Sequence, residues 1–379
     1  MDEASERARW RPPPLPYQWT APRIVEGCVV RRLLWTLVAT VVASGCDHDD
    51  ARTEVPGDAS GLSCRSRVAA EELLPADAVI VGFYDAKRER RYAPNVTKGT
   101  PGGPRALVPA AGLEAARLTW ISLAAACELD EDYWSSVWFA MDREEEVVVV
   151  LEGEGVGDEG RLRCIQRRLG RWAGDERDGM RVTAEGCGIG IQYDEYVGFA
   201  PHDDLLVLGE ASAVARARQA WDAGRGGPAR ALLPNRRSPT YLWFAADIAG
   251  IVTADEMETA LARTGRSQQL DSFANLRTVE FEATLARKYG LRLGGSFGAE
   301  EDARAAAAVI DALLDAPPPG LPDWATFLLG ELELERDDTR VTVTLPLSRR
   351  EGYQLGLLPS RAEARQVPAF LWMLLASAL

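Results

Sequence analysis

The chain has 379 residues, 46% of them hydrophobic and 26% charged. It is long enough for one large or two medium domains, and its composition excludes disorder and fibrous repeats. A net charge of −14 opposes a broad nucleic-acid footprint. Only two histidines occur, His48 and His202, which removes most histidine-based catalysis and metal ligation.

Residues 1–28 are rich in Pro and Arg, as in Arg11-Pro12-Pro13-Pro14, and are unlike a targeting signal. They read either as an unstructured leader or as a start placed upstream of Val29 or Val30. Arg31 and Arg32 then precede a ten-residue apolar run, Leu33 to Val42, which ends in Ala43-Ser44-Gly45-Cys46 before Asp47-His48-Asp49-Asp50. A charged n-region, a short apolar h-region and small residues before a cleavage point describe a secretory signal. The run is too short for a spanning helix, which needs about 20 residues.

The small-small-Cys ending resembles the lipobox of bacterial lipoproteins, with Ala43 where that family usually carries Leu. The resemblance covers about 16 residues and does not extend to the folded part. It implies diacylglyceryl transfer to Cys46, cleavage before it, and palmitate-type acylation of the new N-terminus. The implied address is the cell envelope. There the lipid would hold the inner or the outer membrane, and the domain would lie in the periplasm or at the cell surface.

On this reading residues 1–45 are extension and signal peptide, and 46–70 are the lipidated cysteine and an acidic tether. Residues 71–228 form a first α+β unit, and 229–379 a second.

Four further cysteines, Cys64, Cys127, Cys164 and Cys187, fit an oxidising compartment. They allow three pairings. The expected ones are Cys64–Cys127 and Cys164–Cys187, with free buried thiols as the alternative. No C-x-x-C pair occurs, which argues against zinc clusters and thioredoxin-type chemistry.

In chain order, Ala78–Tyr84 reads as a strand and Lys87–Pro109 as a long surface loop. A helix is expected over Ala111–Cys127. Val137–Met141 and Val147–Leu151 form a hairpin, the second strand apolar enough to be covered on both faces. A helix near 161–172, strands at 189–193, 196–200 and 205–208, a helix over 212–223 and a Gly/Pro/Arg linker over 224–239 complete the first unit.

The second unit opens with a strand at 240–246 and a capping box at Thr253–Glu256. Val279, Phe281, Ala283 and Leu285 alternate with Thr278, Glu280, Glu282 and Thr284, so one sheet face is buried and one wet. Leu291, Leu293 and Phe297 continue this pattern. Ala303, Ala306, Ile310, Leu313 and Leu314 then make one helical face. A hairpin turns at 336–339, Ser348–Glu351 forms another capping box, and residues 367–379 are an apolar stretch read as a docked helix. The fold class is α+β: mainly antiparallel sheets, helices packed on one face, and two tandem pseudo-repeated β-α-ββ-α-ββ-α units. One continuous mixed domain is the alternative.

Chemical motifs each fail a test. Gly155-Val-Gly157-Asp-Glu-Gly160 matches a dinucleotide fingerprint, but Glu152, Glu154, Asp158 and Glu159 would repel a pyrophosphate. Gly294-Gly-Ser296-Phe-Gly298 matches a nucleophile elbow, but no His follows it. It reads as a glycine-rich strand end freeing the turn into a helix. Residues 174–179 with Glu185 are a poor calcium loop, and His202-Asp203-Asp204 reads as a hairpin turn, with a weak metal corner as the sharper alternative. No cofactor or metal is implied.

The leading functional expectation is a non-enzymatic envelope lipoprotein that binds an envelope protein or plays a structural part. The alternatives are a carrier of lipid or small ligand in an internal cavity, and a hydrolase using Ser296.

Overall fold

The computed structural model describes residues 69–95, 124–129, 133–173, 181–185, 188–193, 196–223, 240–253, 271–317, 321, 323–354 and 358. The helix expected after the Thr253 capping box, that at 367–379, most of that at 111–127, the linker at 224–239 and residues 174–180 lie outside these.

Twelve strands form one antiparallel sheet. They are β1 (Ile80–Asp85), β2 (Ser136–Met141), β3 (Val147–Glu152), β4 (Arg181–Glu185), β5 (Gly188–Tyr193), β6 (Tyr196–His202), β7 (Leu205–Glu210), β8 (Thr240–Asp247), β9 (Leu276–Leu285), β10 (Tyr289–Phe297), β11 (Glu333–Asp337) and β12 (Arg340–Leu347). Their spatial order is β11-β12-β10-β9-β8-β1-β2-β3-β7-β6-β5-β4. The protein is therefore α+β, with a single antiparallel sheet. From the central β1–β8 pair, one half runs outward as β1-β2-β3-β7-β6 and the other as β8-β9-β10-β12-β11. The order is the same on both sides, and the β4–β5 hairpin extends the first half.

The α-helices described at both ends are α1 (Ala86–Tyr92), α2 (Glu159–Ala173), α3 (Ala211–Ala223), α4 (Ile248–Ile251), α5 (Glu300–Asp315), α6 (Asp323–Gly330) and α7 (Arg349–Gln354), and residues 124–127 are also helical. The loop expected from residue 87 is instead helical as far as Tyr92. Asp85 caps it by accepting from the Arg88 amide at 2.7 Å, and Ala-Lys-Arg-Glu-Arg-Arg is a run of good helix formers. The capping box at Ser348 is present in both directions. The Glu351 amide donates to Ser348 Oγ (3.1 Å) and the Ser348 amide to Glu351 Oε2 (2.7 Å), which holds the Glu351 carboxyl below its usual pKa.

The two faces of β3 divide the core. Val147, Val149 and Leu151 join the cluster containing Ala86 of α1 and Leu162 of α2. Val148 and Val150 join another, with Ala213, Val214, Ala217 and Trp221 of α3. Helices therefore cover both faces of the first half. In the second half α5 packs beside Val341 and Phe297, on the side of Leu345 and Leu347. The opposite face there is polar: Arg340 reaches Glu280 at 2.6 Å, and Arg292 lies 3.9 Å from Glu282. This is the expected wet face of β9. Leu313, expected inside, is 41% exposed, because α5 buries Ala303, Ala306 and Ala307 and leaves its last turns clear of the sheet.

One row of residues on the α2 face crosses all twelve strands without a polar side chain. From β4 to β11 it runs Val182, Ile191, Gly198, Leu208, Val149, Phe139, Gly82, Phe244, Phe281, Leu293, Val343 and Leu334. Gly82 is required in it: a Cβ there would meet the Phe139 ring at 1.9 Å.

Asp142, at the β2–β3 turn, has no exposed side-chain surface. It accepts from the Glu146 amide at 2.9 Å and pairs with Arg216 of α3, which also reaches Glu146 at 3.1 Å. Burial, outweighing the Glu146 amide and Arg216, raises the Asp142 carboxyl above its usual pKa. A carboxyl raised in the folded state makes stability fall as pH rises from the unfolded pKa through the folded one. Removing the guanidinium lifts the folded pKa further and widens that window. Arg216→Met is therefore expected to cost about 2 kcal/mol at pH 7, below the range for a fully buried pair because Arg216 is partly exposed, and clearly less near pH 4. Urea unfolding at the two pH values measures this, and an equal loss at both would contradict it.

Candidate functional site

The motif-bearing residues of the first half converge at one end of the sheet. β3 ends in Glu152, whose Oε2 accepts from Ser136 Oγ and from Trp138 Nε1 (3.3 Å). The glycine-rich loop follows, and Asp158 caps α2 through the Arg161 amide (2.9 Å). Residues 203 and 204 form the turn between β6 and β7, as expected, and this turn sits on the loop. The Gly153 amide donates to Asp204 O (3.1 Å), the Gly157 amide to Asp203 O (2.7 Å) and the Gly155 amide to Asp204 Oδ1 (2.9 Å).

Gly157 allows this close approach, since a Cβ there would lie 2.4 Å from His202 O. Gly155 has φ 71°, a left-handed conformation that favours glycine. The amides that would cradle a phosphate thus already serve the hairpin. The fingerprint is a seat for a turn.

Beside this seat lies an open polar cleft of about 380 Å³, lined by Lys87, Glu152, Glu154, His202 and Asp204 among others. His202 Nδ1 accepts from the Asp204 amide at 3.2 Å. Among the described residues no three His, Cys, Asp or Glu side chains are placed to hold a metal ion. Ser135 also lines the cleft, and its Oγ donates to Glu152 O at 2.9 Å. The arrangement can bind a small cationic or hydrogen-bonding group.

Ser296 is the penultimate residue of β10, at the strand end where the sequence places the motif. Its Oγ shares a hydrogen bond with Thr278 Oγ1 on β9. Seven strand spacings separate β10 from the strand of His202. At about 4.8 Å each this is roughly 34 Å, so His202 cannot serve Ser296 as a base. The neighbouring Gly294 has a packing role: a Cβ there would press on Arg340 (3.1 Å), which needs the space to reach Glu280.

Cys127 and Cys164 form a disulfide, with Cα atoms 5.6 Å apart. This corrects the expected pairings Cys64–Cys127 and Cys164–Cys187. Cys127, Leu129 and Leu162 share one core cluster, because the 124–129 segment and α2 cover the same sheet face. Proximity in the fold, not in sequence, chose the partner. Cys46, Cys64 and Cys187 lie outside the described residues.

One buried polar cluster had no place among the sequence motifs. Glu89 of α1 has no exposed surface and accepts from Tyr84 OH at 2.5 Å. Tyr241 and Tyr289, hydrogen-bonded to each other, lie close to it, and burial raises both phenols well above the usual tyrosine pKa. The run Lys87–Arg91 looks solvated. Only the spacing of Ala86, Glu89, Arg90 and Ala93, at i, i+3, i+4 and i+7, marks an inward stripe.

No protein-family model matches the chain, and no curated protein matches it. Among solved structures the chain is similar to crystal forms III and I of TP0453, at 10% and 9% identity. Each alignment covers 77% of this chain and 98% of the other, with a TM-score of 0.41. Crystal form IV gives 10% identity, 77% and 97% coverage and a TM-score of 0.39.

The disulfide closes a loop with a sequence separation of 37, worth about 4 kcal/mol in the chain-entropy model. Peptide mapping of oxidised protein is expected to find Cys127 linked to Cys164, and Cys127→Ser with Cys164→Ser to lower unfolding stability by about that amount. A Cys64–Cys127 or Cys164–Cys187 linkage in the native protein would contradict the assignment.

Proposed function

We propose that the chain is a lipoprotein of the bacterial cell envelope, anchored through acylated Cys46, whose folded part works by binding an envelope partner or as a structural element. The observation that carries this reading is the run Arg31-Arg32, Leu33 to Val42 and Ala43-Ser44-Gly45-Cys46. A disulfide between Cys127 and Cys164 accords with an oxidising compartment. A non-catalytic role accords with the employment of both apparent catalytic motifs: the glycine-loop amides hold a hairpin, and Ser296 pairs with Thr278 inside the sheet. With a net charge of −14 the chain is repelled by anionic membrane surfaces, so attachment falls to the lipid. One chain alone binds marginally, whereas the two or three implied by the lipobox hold firmly.

The test is metabolic labelling with an alkyne palmitate in a bacterial host expressing the full chain. Labelled, membrane-bound protein beginning at Cys46 is expected, with Cys46→Ala unlabelled and accumulating as a longer precursor. A Cys46→Ala protein of unchanged size and labelling would overturn the reading.

A further inference from the structure

Charge is spread unevenly over the molecule. Over much of the surface arginines meet carboxylates: Arg163 meets Glu159, Arg216 meets Asp142, and Arg292, Arg304 and Arg340 meet Glu282, Glu300 and Glu280. One end of the sheet differs. There β1 runs into α1, residues 286–288 turn from β9 to β10, and β12 runs into α7. These elements touch. A Cβ on Gly352 of α7 would lie 2.8 Å from the Tyr289 ring, and Arg349 Nη1 donates to Tyr92 O of α1 at 3.1 Å. Lys87, Arg287, Lys288 and Arg350 are exposed here and Arg349 is half-buried. Among the described residues none of the five has a carboxylate partner. Arg88 and Arg91 add guanidiniums 5.8 and 5.3 Å from the Tyr92 ring. The carboxylates of α1, α7 and their caps are employed internally: Asp85 and Glu351 hold cap amides, and Glu89 is fully buried. Like charges gathered without counter-charges repel one another, which folding alone does not favour.

We infer that this basic end faces the anionic phospholipid headgroups of the membrane that holds the chain, and so sets the orientation of the folded part. The inference rests on the proposed anchoring through Cys46. Residues 46–68 can span up to about 75 Å, against about 53 Å for the eleven strand spacings of the sheet. The tether therefore leaves the orientation open, and the surface of the folded part decides it. The net charge of −14 opposes approach as a whole, but the field of an anionic surface falls off within a Debye length, about 8 Å at physiological salt. Only the face in contact feels it. From the end of β12 to the end of β1 the cations extend over four strand spacings, about 19 Å. They stand on a helix, a turn and a second helix. Long cationic side chains without fixed partners suit a mobile layer of phosphates, whereas a protein partner would need carboxylates in fixed register. The other side of the same sheet end carries Glu152, Glu154, Asp203 and Asp204, and the same field turns it away.

Photocrosslinking of the full chain in the membranes of an expressing bacterial host tests it, with benzoylphenylalanine in place of Arg350 and, as the control position, of Asp203 on the acidic side. A phospholipid adduct from position 350 and none from 203 is expected. Equal lipid adducts from both positions, or a protein adduct in place of lipid from 350, would overturn the proposal. A second arm does not need the anchor. The purified Cys46→Ala full chain carrying the same probe is mixed with vesicles of phosphatidylcholine alone or with about one-third phosphatidylglycerol. Position 350 is expected to give about fivefold more adduct with the anionic vesicles, a gain lost at high salt and in Arg287→Glu with Lys288→Glu. Equal yields on the two vesicles would contradict the basic face. A chain left unacylated and unbound to membranes in the host, with the vesicle gain intact, would overturn the anchoring and not the basic face.

Discussion

The pairing of β1 with β8 is the constraint on which the rest of the molecule depends. Ile80 to Tyr84 lie opposite Leu242 to Ala246, and the pair joins the two halves, with four strands beyond β8 and six beyond β1. Both strands are largely buried on both faces. On one face Phe83 contacts Trp138 at 4.7 Å and lies opposite Trp243; on the other Gly82 accepts the Phe139 ring. Without that pairing each half would end in a long apolar strand with a free edge, the arrangement most prone to aggregation. With it, two halves of identical strand order share one sheet, whose edges among the described residues are β4 and β11. Both are short, and β11 carries Glu333, Glu335 and Asp337.

Much of this was legible. Alternation named β9, β10 and β12 and their apolar side, because a sheet with one wet face writes its period of two into the sequence, but Leu293 on that side is 49% exposed. Val147–Leu151 read as doubly covered and is, with α2 and α3 on its two sides. Ser348 and Glu351 read as a cap and are one. What was not legible depended on distant partners. β4 is five residues with one buried apolar position, Val182, and only its pairing with β5 makes it a strand. α1 hides two buried charged residues in a run that looks solvated. The disulfide joined segments brought together by a shared sheet face. Gly155 and Gly157 match a ligand fingerprint that the neighbouring carboxylates argue against, but the reason for the glycines lies some 50 residues later, in the hairpin that needs their amides and their lack of side chains.

The same logic governs the proposed role. Nucleophilic catalysis needs a nucleophile beside a base, and the sheet sets Ser296 and His202 seven strands apart. What the architecture supplies instead is a broad sheet, covered by helices on both faces of its first half and presenting one polar face in its second, laced by Arg340–Glu280 and Arg292–Glu282. A polar sheet face of this kind accords with the proposed binding or structural role.

Native-state hydrogen exchange followed by mass spectrometry tests the central pairing most directly. If β1 and β8 are the shared spine, the amides of Ile80–Tyr84 and Leu242–Ala246 belong to one cooperative unit, exchange only by global unfolding and lose protection together in denaturant. Protection of the two strands at clearly different free energies, with one half opening while the other stays closed and β1 or β8 exchanging as an edge, would contradict the account.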